Sequence, residues 1–407
     1  MDIKKLSEEK VLRDPIHGYI HVTDQVVWDA LGAPEVQRLR RIHQLGSTMM
    51  VYHTGEHSRL GHSLGVYEIV RRMVTEVPDI AGALDEQDKL VVQLAGLLHD
   101  IGHAPFSHSF EHILGCRHED YTTQMILHDS GIHDVLAAAD VKLPSMVASV
   151  IDGTYPNQLL HQMVSSQLDA DRMDYLLRDS YFTGTSYGQF DLERVLRTMR
   201  VRQGKLVVKQ SGVHTVEDYI MARYHMYWQV YYHPTARSFE AVMHLLFKRL
   251  KVLYDFDPNW AAALPMFKDL LSQPVMTNAA LTRLDEPACL YGFAQMRAMP
   301  DPVLADLAGR VLDRRLFDYD SPEYRNEIQA AVIAAGWDPN YYLYQDQQRQ
   351  DPYRPYKGDD DTRIWVLRDD GAIAELSTVS AIAASLAATA DQQDTKVFYP
   401  KGVWHRD

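Results

Sequence analysis

Apolar residues recur at three- and four-residue spacing through most of the first 250 positions, in Val26–Leu31, Gly65–Val77, Asp88–Leu98, Tyr121–Leu127 and Asp171–Leu177. That period lays one apolar stripe along each segment, and such stripes are buried by packing helix against helix. A strand pair is predicted at Thr198–Lys209, turning at Gln203-Gly204. Thr215, followed by Glu217 and Asp218, begins a long helix reaching about Tyr254, which Pro234 should kink or break. Beyond Asp255 the pattern changes. Pro258, Pro265 and Pro274 punctuate short helices, and Gln345–Asp361 reads as an exposed, acidic, proline-containing loop. Arg363–Leu367, an Asp369-Asp370-Gly371 turn, Ala372–Leu376, an Ala-rich helix and Thr395–Tyr399 then make a small α/β unit. The expected fold is mainly α: a helical catalytic core over residues 1–255 and a smaller α/β region over 256–407, with no internal repeat.

Composition narrows the function classes. With 407 residues and 46% hydrophobic content the chain can bury a large core. No stretch approaches about 18 consecutive apolar residues, and Met1–Lys10 lacks the apolar centre of a signal peptide, so a cytoplasmic location is expected. Two cysteines, Cys116 and Cys289, exclude a disulfide framework and a Cys-rich zinc site. A net charge of −14 repels nucleic-acid backbones and anionic lipid on average, so neither is expected as the main partner. An anionic substrate therefore needs a site that brings its own cations.

Histidine is the unusual count, 19 in all, with many between His43 and His128. Imidazole is the commonest metal ligand and the usual proton shuttle. In Gly96-Leu97-Leu98-His99-Asp100-Ile101-Gly102-His103 a histidine and an aspartate stand side by side at the end of an apolar helix. Neighbours on a helix diverge by about 100°, so the pair can share one ion only if the helix end opens, for which Gly102 supplies the freedom. Arg59-Leu60-Gly61-His62 and Asp169-Ala170-Asp171-Arg172 lie on two further helices. Two imidazoles and two carboxylates make a mixed nitrogen–oxygen site suited to Fe, Mn, Ni or Zn, with positions left open for water or phosphate. Singly, each ligand reads as a hydrogen-bonded core residue or a helix cap; the order H…HD…D carries the argument. His103, His108 and Glu111 follow at helical spacings and are expected to share one wall of the cleft as a proton-handling cluster.

The chain resembles the HD superfamily, in its deoxynucleoside triphosphate (dNTP) triphosphohydrolase branch. The resemblance rests on Arg13-Asp14-Pro15-Ile16-His17-Gly18, Gln37-Arg38-Leu39-Arg40, Gln44-Leu45-Gly46, Arg59…His62-Ser63-Leu64-Gly65-Val66, the block from His99 to Phe110, and Asp171…Asp174-Tyr175…Arg178-Asp179, and it spans roughly residues 10–250. It implies His62, His99, Asp100 and Asp171 as metal ligands, and His108 held by Glu111 as proton donor, with Glu111 where the family usually has Asp. It implies His118 as a further active-site histidine and His103 as one that meets phosphate. Arg59, Arg172 and Arg223 match phosphate-binding positions, Arg172 replacing a more usual Lys. Gln44 and Asp179 match residues that bond the 3′-hydroxyl, Leu45 and Tyr175 those that crowd the 2′ position, and Tyr231 one near the base. Gln37 and Arg40 match residues that read a guanine between subunits, although an Asp of that motif is replaced near Gly32.

The leading expectation is hydrolysis of a dNTP to deoxynucleoside and intact triphosphate, with one divalent transition metal in the site and Mg or Mn on the nucleotide phosphates. A nucleotide activator and a homotetramer are expected from the same resemblance. One alternative is another HD phosphohydrolase acting on nucleoside monophosphates, cyclic dinucleotides or (p)ppGpp, against which Gln44, Tyr175 and Asp179 argue. Another is a nucleotide-sensing regulatory oligomer, for which an open ligand set would be superfluous.

Overall fold

The computed structural model describes residues 3–107, 110, 113, 117–273, 275–350, 363–388 and 392–405. The chain opens not on a helix but on an antiparallel hairpin, β1 (Lys5–Asp14) and β2 (Gly18–Asp24), in register Arg13↔Tyr19. The helical reading missed it because β1 is mostly exposed and carries little apolar alternation. The Asp14 carboxylate accepts the amide N–H groups of Ile16 (2.9 Å) and His17 (3.0 Å), which makes the reversal and delivers His17 inward.

Four helices then frame the site: α1 (Arg59–Glu76), α2 (Glu86–Leu98), α3 (His118–Leu127) and α4 (Ala170–Thr183). Residues Leu90 through Leu98 of α2 are all buried, so this helix runs through the centre of the core rather than along its surface. The predicted strand pair is present as β3 (Met199–Arg202) and β4 (Lys205–Lys209), turning at Gln203-Gly204. The predicted long helix is divided into α5 (Val213–Met226), a π-helical turn at Tyr227–Tyr231, and α6 (Pro234–Phe256), which restarts at Pro234 as proline's missing N–H demands.

Past Phe256 come α7 (Glu286–Arg297), α8 (Pro302–Leu312) and short strands β5 (Asp318–Asp320), β6 (Tyr344–Gln350), β7 (Trp365–Leu367), β8 (Ile373–Glu375) and β9 (Gln392–Tyr399). β7 pairs in parallel with β4, giving the sheet order β3-β4-β7-β8, while β5, β9 and β6 form a second sheet. The expected loop at 345–361 is corrected over its first residues: 345–350 are strand, because β9 supplies a full ladder in register Tyr344↔Phe398 to Gln350↔Gln392. Residues 351–361 lie outside the described set. Arg237 on α6, buried under this sheet, donates to Asp346 (2.8 and 2.7 Å) and to Asp394. One apolar core runs from Ile20 to Tyr399, so the architecture is a mainly helical body with small sheets added in its C-terminal part.

Candidate active site

Two of the three converging elements are fixed by a local device. α2 ends at Leu98, one residue before the ligand pair, so His99 and Asp100 sit on an opened turn and not on opposite helix faces. Gly102 permits this by close approach: a Cβ there would lie 2.2 Å from the His118 carbonyl and 2.4 Å from the Thr122 nitrogen of α3. Its own N–H donates to the Thr122 hydroxyl, which in turn donates to the His99 carbonyl, both at 3.0 Å. Asp169 caps α4 by accepting the Arg172 N–H at 2.7 Å, which puts Asp171 in the first helical turn.

His62 Nε2 lies 3.0 Å from Asp171 Oδ1 and 3.7 Å from Asp100 Oδ2. His99 Nε2 lies 3.4 Å from Asp100 Oδ1 and 3.7 Å from Asp171 Oδ1. His99 Nδ1 donates to the Gly96 carbonyl at 2.9 Å, which leaves the Nε2 lone pair facing the carboxylates, and that buried atom has no hydrogen-bond partner among the described residues. An orphaned buried imidazole nitrogen beside two carboxylates and a second imidazole fits a divalent metal well. Burial works against charge on His62, but hydrogen bonds to Asp171 and Asp174 outweigh it and lift its pKa to about 10. Burial raises and the two imidazoles lower the Asp171 pKa, which ends far below the usual carboxylate range. The cluster therefore attracts a cation, and a metal ion would compete with the proton for the same place.

Behind the ligands lies a layer to which sequence reasoning gave no role. Asp174, fully buried, accepts from His62 Nδ1 at 2.8 Å, from His17 Nε2 at 2.7 Å and from Arg178 Nε and Nη2 at 2.9 Å. Arg178 also reaches Asp14 at 2.8 Å, so the hairpin's Asp14 and His17 both act on the metal side of α4. Burial favours the neutral acid at Asp174, yet Arg178, His17 and His62 hold its pKa well below the ordinary value. A Cβ on Gly65 would fall 1.8 Å from Asp174 Oδ1, which is why that turn of α1 carries glycine. The legible signal was the three-residue spacing from Asp171 to Asp174, one face of one helix.

One expectation is corrected here. His103 does not continue the ligand helix; after Asp100 the chain turns, and Phe106 (φ 56°) and Ser107 (φ 55°) are both left-handed. His103 instead faces Asp100 Oδ1 at 3.3 Å and stacks on His118, ring centroids 3.7 Å apart. Burial, with Arg59 and His118 alongside, holds the His103 pKa well below the histidine norm, so it is neutral. Arg59 donates to Asp100 and to the Ser107 hydroxyl, at 3.1 Å from Nε and 2.7 Å from Nη2. His108 and Glu111 lie outside the described residues.

The remaining candidates gather on α4, α5 and the π turn. Arg172 pairs with Asp169, and Arg223 donates to Gln167 at 2.6 Å, but the Nε atoms of both arginines are buried without a partner among the described residues. Tyr227, which the sequence did not single out, completes this group: burial raises its pKa, but Arg223 and Arg172 prevail and lower it. Asp179 accepts from His57 Nε2 and from the Tyr231 hydroxyl, both at 2.8 Å, and the Tyr231 ring meets Tyr175 edge-on at 6.0 Å. His57, from a stretch with no assigned role, stacks on Phe182 at 4.6 Å. Gln44 donates its backbone N–H to the His57 carbonyl at 2.9 Å and keeps a buried Oε1 without a partner among the described residues, while Leu45 is buried beside it. Gln37 and Arg40 are joined to each other by a 2.8 Å hydrogen bond at the surface.

A family model described as HD domain matches residues 59–179, and one described as HD associated region matches 190–258. YwfO of Bacillus subtilis is 45% identical over 406 residues, covering 98% of this chain and 93% of that protein. The Dictyostelium discoideum homologue of deoxynucleoside triphosphate triphosphohydrolase SAMHD1 is 30% identical over 257 residues, covering 59% of this chain and 49% of that protein. Among solved structures, a phosphohydrolase from Bacteroides thetaiotaomicron superposes with a TM-score of 0.84 at 26% identity, covering 97% of this chain and all of that one.

Proposed function

This chain belongs to the HD-domain family of phosphohydrolases, related to the dNTP triphosphohydrolases, and from that premise we propose that it cleaves dNTPs to deoxynucleoside and inorganic triphosphate. The observation that carries this reading is the pairing of two unlike groups of side chains beside one candidate metal site. On one side Arg172 and Arg223 hold buried N–H donors without a partner among the described residues, fitted to a polyanion in a chain whose net charge is −14. On the other, Asp179, Gln44, Leu45 and Tyr175 form a polar and crowded corner fitted to a deoxyribose, in which a 2′-hydroxyl would clash or go unpaired.

His62, His99, Asp100 and Asp171 would hold the metal, which supplies Lewis acidity toward a phosphoryl oxygen and a more acidic water. Arg59 bonds the α-phosphate side of the substrate, and neutral His103 donates a hydrogen bond to phosphate without adding charge. His108, steadied by Glu111, gives a proton to the departing 5′-oxygen, and His118, stacked on His103, keeps that imidazole in place. Tyr231 holds Asp179 toward the 3′-hydroxyl and borders the base. Mg or Mn accompanies the nucleotide phosphates.

A nucleotide activator bound at Gln37 and Arg40 between the subunits of a tetramer belongs to the same proposal, as does a cytoplasmic location. Among the described residues no helix is long and apolar enough to cross a membrane. The test is incubation of purified protein with each dNTP, singly and mixed, plus Mg²⁺ or Mn²⁺, with products identified by chromatography. Deoxynucleoside with intact triphosphate is expected, and turnover confined to mixtures would reveal the activator. Survival of every dNTP under all these conditions would overturn the reading.

A further inference from the structure

The segment Leu284–Glu286, at the start of α7 and beyond the core helices, reaches the back of the catalytic turn. Arg38, fully buried, spans the two by donating from Nε to the Leu284 carbonyl at 2.9 Å and from Nη1 to the His103 carbonyl at 2.8 Å. Glu286, 1% exposed, accepts the His43 N–H at 2.9 Å and the Phe106 N–H at 3.1 Å on one oxygen, and pairs with the His43 ring through the other.

Those contacts fall on a stretch of this site with unusual backbone. Phe106 and Ser107 are consecutive non-glycine residues with positive φ, a conformation unfavourable for L-residues that persists only where the surroundings impose it. The Phe106 amide is held by Glu286, and the Ser107 hydroxyl donates to the His43 carbonyl at 3.2 Å while accepting twice from Arg59. The Arg59 guanidinium also donates to Asp100 and to the Gln44 carbonyl. A shift of the turn would therefore move the guanidinium relative to the metal ligands.

We infer that Glu286 is a positioning residue for phosphate binding: it locks the left-handed Phe106–Ser107 turn and thereby aims Arg59 beside Asp100. This rests on the phosphate-binding role proposed above for Arg59, and it gives part of the region beyond residue 256 a direct bearing on the site.

Binding of inorganic tripolyphosphate to the full chain in the presence of Mn²⁺, measured by calorimetry, tests it without depending on turnover. Glu286→Ala should weaken that binding about 10-fold with bound metal unchanged, whereas Glu286→Gln, which keeps an acceptor for both amides, should stay within about 2-fold. In an Arg59→Ala background the Glu286→Ala change should add less than about 2-fold, because its effect runs through Arg59. Should Glu286→Ala fail to fold, Glu286→Asp keeps the charge but shortens the arm, and a loss of about 3- to 10-fold is expected. Tripolyphosphate binding unchanged in the Ala or Asp variant, or an equal loss in the Arg59→Ala background, would overturn the assignment, as would absence of tripolyphosphate binding by the unaltered chain. If the unaltered chain binds tripolyphosphate but hydrolyses no dNTP, the proposed reaction fails and Glu286 is still decided by these measurements.

Discussion

Replacing Asp174 with Asn tests how the metal site is held. Each Asp174 oxygen serves one histidine and one Arg178 nitrogen: Oδ1 takes His17 and Nη2, Oδ2 takes His62 and Nε. An amide has a single oxygen, so in either orientation its NH2 group meets an Arg178 donor. The less damaging orientation keeps the oxygen on His62 and turns the NH2 toward His17. Even so, His62 loses a charged partner, and removal of such an outer carboxylate typically costs 10- to 100-fold in metal affinity, about 1.4–2.7 kcal/mol. Arg178 keeps Asp14 as its only carboxylate among the described residues, so the fold should lose about 3 kcal/mol as well. The assays are bound metal by mass spectrometry across a chelator titration, and thermal unfolding with and without metal. The expected result is a Tm lowered by about 3–4 °C and weaker metal binding at temperatures where the variant is still folded. Metal affinity equal to that of the unaltered protein would refute the claim that Asp174 tunes His62.

Three further outcomes are expected. Arg223→Ala should raise KM for dNTP by about 10- to 100-fold while leaving thermal stability nearly unchanged, because the lost cation repels Arg172 and has Gln167 as its hydrogen-bond partner; a sharp fall in Tm would contradict this. His57→Ala frees one oxygen of Asp179, so discrimination of dNTP from NTP, measured as a ratio of kcat/KM, should fall by about 10-fold with bound metal unchanged. The His43 pKa is raised to about 9, chiefly by its hydrogen bond to Glu286, with burial opposing. Because the folded value lies above the ordinary one of about 6.5, its contribution is full below that pH and is lost as pH rises through about 9. The Tm gap between the unaltered protein and His43→Gln should thus be widest near pH 6, corresponding to about 1–2 kcal/mol for this partly exposed ring, and close by about pH 10; a gap independent of pH would remove His43 as its source.

The helical framework was legible because buried helices leave a period in the chain: Gly65–Val77 marks the helix that carries His62, and Asp88–Leu98 the one that ends just before His99 and Asp100. The β3–β4 pair was legible from its turn, and the break near Pro234 from the chemistry of proline. The polar strand at 344–350 was not, since it becomes a strand through the ladder that β9 supplies and not through any apolar alternation of its own. Nor was the hairpin at 5–24, whose importance lies in carrying Asp14 and His17 to Arg178 and Asp174, 164 and 157 residues away.

By itself the sequence determined which residues could bind a metal, because ligand chemistry resides in residue type and the order H…HD…D survives without coordinates. Only the tertiary structure decided which lone pairs face the same point. The end of α2 at Leu98, the Gly96 carbonyl that fixes the His99 tautomer, and the glycine at 65 that admits Asp174 are matters of distance between segments remote in the chain. The same holds for Glu286: nothing near it in sequence distinguishes it from a helix-start acid, and its meaning comes from a strained turn 180 residues earlier whose amide it accepts.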